Sequence, residues 1–419
     1  MKLYVFLTAL LYLSCAPSVS QDSLKARKNP ASLKMKLING NWFNGENFEK
    51  RNVWVDNGLL YFSGINRTTD TIIDLKGRFV IPPFAEAHNH NLESDYELEK
   101  RIDNYLGDGV FYVKHLSAIK MQLGPLMHLY NKPDGIDVST TYAPLTGTGG
   151  HPIALREKFF DWGYYEVFSS KKDIESHGYF VIDTAEDLDK KWGHILSFKP
   201  EFIKINLLYS EEYMQRKNDT AYFGNKGIDP RLVGKVVQKA HEAGLRVSAH
   251  VETAYDFHVA VEADVDEIAH LPEIDHGEAV DVQDIRTAKE KEIVIVTTIS
   301  LVKRKLRQPN FEALVDNIRE NLELFKQEGA ILAIGSDNFN GNSSGEFYFL
   351  NELNVFTNLE LLNMWTVYAT RTIFPNRKVG FLRDGYEASF LVLGKNPLED
   401  ISDITERIEL KVKQGTLLR

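Results

Sequence analysis

The stretch VIPPFAEAHNHN, from Val80 to Asn91, is the point from which the organisation of the whole chain can be read. It begins as an apolar strand and ends in two histidines, His88 and His90, separated by one residue. Alternate side chains of a strand share a face, so the two imidazoles point the same way. Two imidazoles side by side at a strand end are a natural start for a divalent metal site. A lone His-x-His is a weak signal, so the rest of the chain decides whether a site forms.

The composition is that of an ordinary globular protein. The chain has 419 residues, 43% of them hydrophobic and 26% charged, which is enough for one large α/β barrel with accessory structure. The formal net charge of −10 argues against nucleic acid or an anionic membrane surface as a partner. Cys15 is the only cysteine, so no intramolecular disulfide can form. We expect a small molecule or a short peptide as the partner, and no pattern fixes an oligomeric state.

Residues 1–20 have the form of a signal peptide. A basic start is followed by the apolar run Leu3–Leu13 and by small residues around Cys15. The run is too short to span a membrane as a helix. Its end, Leu-Ser-Cys, resembles a bacterial lipoprotein signal, which implies an exported protein, periplasmic or anchored to a membrane only through a lipid on Cys15. The alternative is an ordinary cleaved signal with an incidental cysteine.

The middle of the chain alternates strand-like and helical patterns. Eight apolar, strand-like runs begin at Phe79, Val110, Val138, Glu201, Arg246, Val265, Glu292 and Ala330. Helical patterns such as Pro230–Ala243 and Phe311–Glu328 each end at a glycine before the next strand. Eight strands with helical returns predict an α/β fold, a (β/α)8 TIM barrel over residues 83–378. An open doubly wound sheet is the alternative, but no glycine-rich phosphate loop follows the first strand.

Both flanks of the predicted barrel consist of short strands separated by turns. Asn-Gly and Asp-Asn-Gly between apolar runs are typical of hairpins before residue 82, and similar strands return from Val379 onward. We expect residues 35–82 and 379–419 to pair into one small composite β-sandwich without catalytic residues of its own.

Ligand-type residues stand at the ends of five predicted barrel strands, where TIM barrels collect their function. They are His88 and His90 on the first strand, Lys204 on the fourth, His250 on the fifth, His270 on the sixth and Asp337 on the eighth. Each has an ordinary alternative: a strand-end histidine is often a satisfied polar residue, and Asp337 could merely cap a helix. A lysine inside Phe-Ile-Lys-Ile is unusual, because an unpaired buried ammonium is costly. Five strands ending this way are not expected by chance.

This pattern, from about Met35 to Arg419, resembles the amidohydrolase superfamily, in its prolidase-like and imidazolonepropionase-related branch. The resemblance implies two divalent metal ions, expected to be zinc, bridged by a carboxylated Lys204. It places His88, His90 and Asp337 on one metal and His250 and His270 on the other. Two metals sharing a water would lower its pKa toward neutrality, and one would polarise the substrate carbonyl. Asp337 would then act as general base and general acid.

The substrate is indicated by fewer residues. Thr-Gly-Gly-His, ending at His151, is similar to a segment of the prolidase-like enzymes that cleave dipeptides and N-acyl amino acids. Glycines there would let backbone approach a ligand, with His151 contacting a carbonyl or carboxylate; the alternative is a plain glycine-rich turn. Tyr222 is a further pocket candidate. The charged insertion at residues 209–219 departs from the glycine-rich loop of that group and puts inheritance of its substrate in doubt.

The leading prediction is an exported hydrolase of an amide C–N bond, in a dipeptide or an N-acyl amino acid. A lactonase or a deaminase on the same metal centre is the first alternative; Glu252 resembles a deaminase acid, although Lys204 weighs against that interpretation. The second alternative is a non-catalytic surface lipoprotein, which would be expected to have lost ligands. The histidines that match no ligand position are interpreted as structural or surface residues: His115, His128, His177, His194, His241, His258 and His276.

Overall fold

The computed structural model of the protein describes residues 34–63, 69–272 and 279–418. The predicted signal peptide with Cys15 lies outside the described residues, and so does His276. Within the described part, no helix is long and apolar enough to cross a membrane.

Eighteen strands run through the described residues. Five precede the first predicted barrel histidines: β1 (Met35–Phe43), β2 (Phe48–Asp56), β3 (Leu59–Tyr61), β4 (Thr71–Asp74) and β5 (Phe79–Ile81). Ten follow in the middle of the chain: β6 (Phe84–Asn89), β7 (Val110–His115), β8 (Asp137–Thr140), β9 (Leu145–Thr146), β10 (Phe180–Val181), β11 (Phe202–Asn206), β12 (Arg246–His250), β13 (Glu267–Ile268), β14 (Val294–Val296) and β15 (Ile331–Ala333). Three close the chain: β16 (Phe390–Leu393), β17 (Ile408–Lys413) and β18 (Thr416–Leu418).

Of the twelve α-helices in the described part, nine lie between the middle strands and three follow β15. The α-helices of the described part are α1 (Leu98–Gly107), α2 (Lys120–Leu126), α3 (Ile153–Asp161), α4 (Ala185–Ser197), α5 (Tyr213–Arg216), α6 (Val233–Glu242), α7 (Ala254–Glu262), α8 (Val282–Glu290), α9 (Phe311–Glu328), α10 (Ser344–Leu353), α11 (Asn358–Asn363) and α12 (Ala369–Ile373). A π-helical segment, Met364–Tyr368, joins α11 to α12. In α6 the buried residues Val233, Val236, Val237 and Ala240 fall at helical spacing, so one face packs on the strands.

The middle strands form two parallel sheets. One has the order β6-β7-β8, and the other β10-β9-β11-β12-β13-β14-β15. Backbone hydrogen bonds bridge the sheets on both sides: Ala87 N–H donates to the Ile334 carbonyl over 3.1 Å, and Glu201 N–H donates to the Thr140 carbonyl over 3.0 Å. The fold is therefore α/β and TIM-barrel-like, as expected. One continuous closed sheet is not found among the described strands, so the closed barrel is not confirmed in that strict form.

The two ends of the chain meet in a third sheet. Its order is β18-β17-β16-β5-β1-β2-β3, with β4 paired to β1, and β16 runs antiparallel to β5 with Leu391 opposite Ile81. The predicted pairing of early and late segments is present, but both belong to a single eight-stranded sheet. A two-layer β-sandwich is therefore not confirmed. The domain boundaries at residues 82 and 379 stay a prediction.

Candidate metal centre

All six predicted metal ligands line one cavity of about 110 Å³. Parallel strands bring them together because their carboxyl ends meet at one edge of the sheet. His88 lies in β6 and His90 just beyond it; Lys204 lies in β11 and His250 ends β12. His270 and Asp337 follow β13 and β15 by two and four residues. The positions of these residues at the ends of predicted strands had indicated that their side chains would meet.

His88, His90 and Asp337 form the tightest part of the cluster. The two Nε2 atoms are 3.1 Å apart, and Asp337 Oδ1 lies 3.8 Å from His88 Nε2 and 3.4 Å from His90 Nε2. One ligand atom from each residue lies within 4.8 Å of the others, so the three could hold one metal ion. Two imidazoles and a carboxylate form a donor set suited to zinc.

His250 and His270 continue the cluster on the side of His88. Their ring centroids are 4.4 Å apart, and His270 lies 4.5 Å from His88. His88 Nδ1 bonds the Ala269 carbonyl and His270 Nδ1 bonds the Thr298 hydroxyl, each over 2.8 Å. A carbonyl can only accept, so the His88 proton sits on Nδ1 and the Nε2 lone pair is left for a metal.

Three buried polar atoms of the cluster have no hydrogen-bond partner among the described residues: Lys204 Nζ, His250 Nε2 and Asp337 Oδ1. Leaving such groups unpaired costs about 1–3 kcal/mol each, which a stable fold rarely tolerates without a compensating ligand. An amine, an imidazole nitrogen and a carboxylate oxygen aimed into one cavity match the donors that divalent metals bind. The residues present therefore fit the implied metal ions.

Burial sets the charge states of the ligands. It lowers the pKa of Lys204 to about 7 and that of His250 to about 3. It also lowers the pKa values of His88, His90 and His270 well below the ordinary histidine value. Conversely, burial raises the pKa of Asp337 to about 7. The imidazoles are therefore neutral near pH 7, as metal ligation requires.

Glu86 ties together the two strand ends that carry His88 and Asp337, a role that the sequence reasoning missed. It is completely buried and accepts hydrogen bonds from the Ser336 N–H and hydroxyl, each over 2.7 Å, and from the His88 N–H over 3.2 Å. Asp337 N–H in turn donates to the His88 carbonyl over 2.8 Å. A glutamate inside the apolar stretch before the two histidines was the signal that could have revealed it, because an unpartnered buried carboxylate is costly.

His151 lies beside the six ligand-type residues. It lines the cavity and stacks on His250 with ring centroids 5.0 Å apart. The glycines before His151 were predicted to let backbone approach a ligand. Their close contacts are instead with the backbone of another loop of the same chain. A Cβ on Gly147 would lie 2.6 Å from the Gly227 carbonyl, and one on Gly150 would lie 2.9 Å from the Lys226 carbonyl. These glycines therefore allow two loops to pack together and hold His151 over the cluster.

The structure does not bring Tyr222 to the cavity. Its ring lies 4.6 Å from the Arg216 guanidinium, and its hydroxyl accepts a hydrogen bond from Gln215 over 3.3 Å. The charged insertion folds on itself through these contacts, which keep the ring away from the cluster. A substrate role for Tyr222 gains no support from this placement.

Further residues complete the cavity wall. Arg156 of α3 is 4% exposed, and its guanidinium bonds Glu93 over 3.0 Å and Ser117 over 2.5 Å. Phe159 and Phe339 add apolar surface. Spacing could not indicate these residues, since they come from a helix and from loops rather than from strand ends. A second cavity of about 290 Å³ shares His250, His270 and Asp337 and lies against α9 and Arg304.

Comparison with known proteins agrees with this geometry. A model of the amidohydrolase family matches residues 217–417. The curated ochratoxinase of Aspergillus niger is 28% identical over 191 residues, which are 43% of this chain and 38% of that protein. The aligned part thus spans well under half of that relative.

Solved structures extend the likeness over most of the chain. The crystal structure of A. niger ochratoxinase superposes with a TM-score of 0.73 at 21% identity, covering 92% of this chain and 95% of that one. A prolidase in complex with N-methylphosphonate-L-proline gives a TM-score of 0.71 at 22% identity, covering 92% and 99%. At such identities the superpositions establish the fold alone. Residues 217–417 thus resemble the amidohydrolase family in sequence, and the fold resembles these solved structures over most of the chain.

Proposed function

We propose that the protein is a metal-dependent hydrolase of an amide C–N bond, in a dipeptide or an N-acyl amino acid. The observation that carries the proposal is the cavity in which all six ligand-type residues meet, where three buried polar atoms have no hydrogen-bond partner among the described residues. Solved structures of similar fold described as a prolidase and as a Xaa-Pro dipeptidase support a peptide-like substrate.

The site would hold two divalent ions, proposed to be zinc. His88, His90 and Asp337 would hold one ion, His250 and His270 the other, and Lys204 would join them as a carbamate. When bound, the metals would polarise the substrate carbonyl and lower the pKa of an attacking water. Lys204 suits this role because burial lowers the pKa of its amine to about 7, and carboxylation needs the neutral amine.

Asp337 would move the proton. Burial raises the pKa of its carboxyl to about 7, so near neutral pH the carboxylate can accept a proton from the attacking water and return it to the leaving amine. Asp337 lines both cavities, so it would lie between the two parts of a substrate that extended across the cluster. Proton transfer of this kind contributes roughly 100- to 10,000-fold to the rate.

His151 would orient the substrate. Burial holds its pKa well below the ordinary value, so the ring is neutral and one nitrogen donates while the other accepts. Stacked on His250, it can hold a carbonyl or carboxylate oxygen beside the scissile bond. The closely packed glycine loops behind it keep the ring in place.

The test combines metal analysis with a substrate panel. Purified protein should contain about two equivalents of zinc per chain and should hydrolyse dipeptides or N-acyl amino acids in preference to lactones and nucleobases. Asp337→Asn should remove turnover. Zinc-loaded protein that cleaves lactones or deaminates nucleobases but leaves amides intact would contradict the proposal.

We also propose that the protein is exported and lipid-anchored at Cys15. The apolar run before the only cysteine supports this proposal. Cys15→Ser should release the protein from the membrane fraction of the producing bacterium, with Ser14→Ala as a matched control that keeps the cysteine. If the Cys15→Ser and wild-type proteins both fractionate as soluble protein, lipidation is wrong although export could survive.

A further inference from the structure

A continuous series of aromatic rings leads from the candidate metal centre to the protein surface. Phe339 follows Asp337 by two residues, and its ring stacks on His90 with centroids 5.8 Å apart and planes at 26°. Phe159 of α3 meets Phe339 edge to face at 5.9 Å. These spacings lie in the range of favourable aromatic pairs. We call Phe159 and Phe339 the aromatic wall.

The series continues outward from the aromatic wall. Phe159 lies 5.9 Å from Trp162 and 5.7 Å from Tyr164, and both outer residues are 58% exposed. Of these four aromatic residues, Phe159 and Phe339 line the cavity that holds the six ligand-type residues, and Leu155 of α3 lines it as well. Clustered exposed apolar surface at the mouth of a site marks the place where an apolar group binds.

The charge that stands behind the aromatic wall is already neutralised. Arg156 bonds Glu93 over 3.0 Å, Ser117 over 2.5 Å and the Tyr165 hydroxyl over 2.5 Å. Its guanidinium is therefore occupied by a carboxylate and two hydroxyls, and it holds α3 in place against the barrel. A neutral apolar group suits this side of the cavity better than an anion does.

We propose that one side of the scissile amide carries an aromatic ring, which lies against Phe159 and Phe339. This inference rests on the proposed amide hydrolysis and names the substrate class more closely. A flat ring in this position would extend the stacking that begins at His90, and each favourable ring pair contributes roughly 2- to 12-fold beyond the burial of apolar area. Purely apolar contact would instead favour a saturated ring, which is the more hydrophobic of the two.

The experiment compares phenyl with cyclohexyl groups in otherwise identical amides, using the zinc-loaded full chain. The ring is placed on the acyl side and on the amine side in turn. For one of the two placements, wild-type protein should give a kcat/KM about 5- to 10-fold higher for the phenyl compound. Competitive inhibition by 3-phenylpropionate and 3-cyclohexylpropionate supplies a second measurement, in which the two compared compounds are not themselves hydrolysed.

Variants of Phe159 separate ring stacking from simple apolar contact. Phe159→Leu should abolish the phenyl preference in both measurements, whereas Phe159→Tyr should keep the preference. Trp162→Ala is the matched control. It removes an aromatic ring directly after the same helix, and this ring does not line the cavity. Metal content and thermal midpoint are compared for every variant, so a folding defect is recognised.

The outcomes distinguish the two proposals. If wild-type protein hydrolyses none of the amides, the proposed function is wrong and the aromatic inference falls with it. If it hydrolyses phenyl and cyclohexyl amides equally, or if Phe159→Leu keeps the phenyl preference, amide hydrolysis stands and the aromatic inference is overturned.

Discussion

The surroundings of Lys204 disfavour a positively charged amine. The residue is 4% exposed, and its buried amine has no hydrogen-bond partner among the described residues and a pKa lowered to about 7 by burial. As a carbamate it would become an anionic oxygen ligand, which resolves the cost of a buried cation.

Replacing Lys204 should therefore prevent the proposed bridged pair of metals from binding. We expect Lys204→Ala to lose metal and nearly all turnover, and Lys204→Arg to fail as well, since a guanidinium cannot lose its charge to become a ligand. Short carboxylic acids should restore part of the rate of Lys204→Ala by standing in for the carbamate. Elemental analysis and turnover assays give the result.

Lys226 supplies the control for this change. It is also buried, but its ammonium donates to three backbone carbonyls, those of Arg216, Lys217 and Asp219, over 2.9–3.3 Å. Lys226→Ala should lower stability and leave metal content unchanged. Full metal occupancy and full turnover in Lys204→Ala would refute the bridged centre.

His151 should matter for the reaction and not for the metals. His151→Ala should lower kcat/KM, because a hydrogen bond to the substrate is lost. The expected decrease corresponds to about 1–3 kcal/mol of lost transition-state stabilisation. His151→Phe keeps a ring over His250 and should lose as much, which separates hydrogen bonding from stacking. A peptide-like substrate with a free carboxylate should suffer far more than a neutral lactone. Wild-type kinetics on both substrate classes in His151→Ala would reduce Thr148–His151 to a structural turn.

At the scale of elements, the contact between β6 and the segment after β15 fixes the relative positions of His88 and Asp337. Gly335 lies in this contact, and a Cβ there would come within 2.6 Å of the His88 backbone nitrogen and of a Val296 methyl group. Both obstacles belong to buried residues that cannot move freely. The candidate metal centre therefore requires a residue without a side chain at position 335.

Gly335→Ala should consequently disturb both stability and metal binding. Forcing an extra methyl group into a packed region typically costs about 1–3 kcal/mol. We expect a lower thermal midpoint and weaker zinc affinity, measured by calorimetry and by competition with a chelator. Gly345→Ala is the control, because a Cβ at this position in α10 meets nothing within 4 Å and alanine favours a helix. Equal zinc affinity in the two variants would contradict the inference that a side chain at position 335 disturbs the metal ligands.

The sequence allowed prediction of those site residues that regular strands position. His88, Lys204, His250 and Asp337 were found because parallel strands end at a common edge. Phe159, Arg156 and Phe339 were not predicted. They lie on a helix and on a loop, and no repeating pattern of apolar residues indicates how such segments run across the mouth of the site. The position of Tyr222 was not predictable for the same reason: its ring contacts Arg216 of the charged insertion.

At the scale of the whole molecule, buried charges join the terminal sheet to the barrel. Lys413 of β17 is fully buried and lies 2.5 Å from Asp137 of β8, which is also fully buried. Arg377 bonds the other oxygen of Asp137 and also Glu387, each over 2.7 Å. The sequence predicted that the chain ends would pair with each other, but these charges show how they are also fixed to the barrel.

Asp137→Ala should therefore destabilise the whole fold. The change leaves the Lys413 ammonium buried without a counter-charge, and removing one partner of a buried pair typically costs about 3–5 kcal/mol. Unfolding in guanidinium chloride, followed by tryptophan fluorescence, measures the loss. Glu186→Ala is the control, because it breaks the Lys190–Glu186 pair, whose side chains are 68% and 75% exposed, and should cost less than about 1 kcal/mol. Should the two variants unfold at the same denaturant concentration, the ion pair of Lys413 and Asp137 would not be what holds the terminal sheet to the barrel.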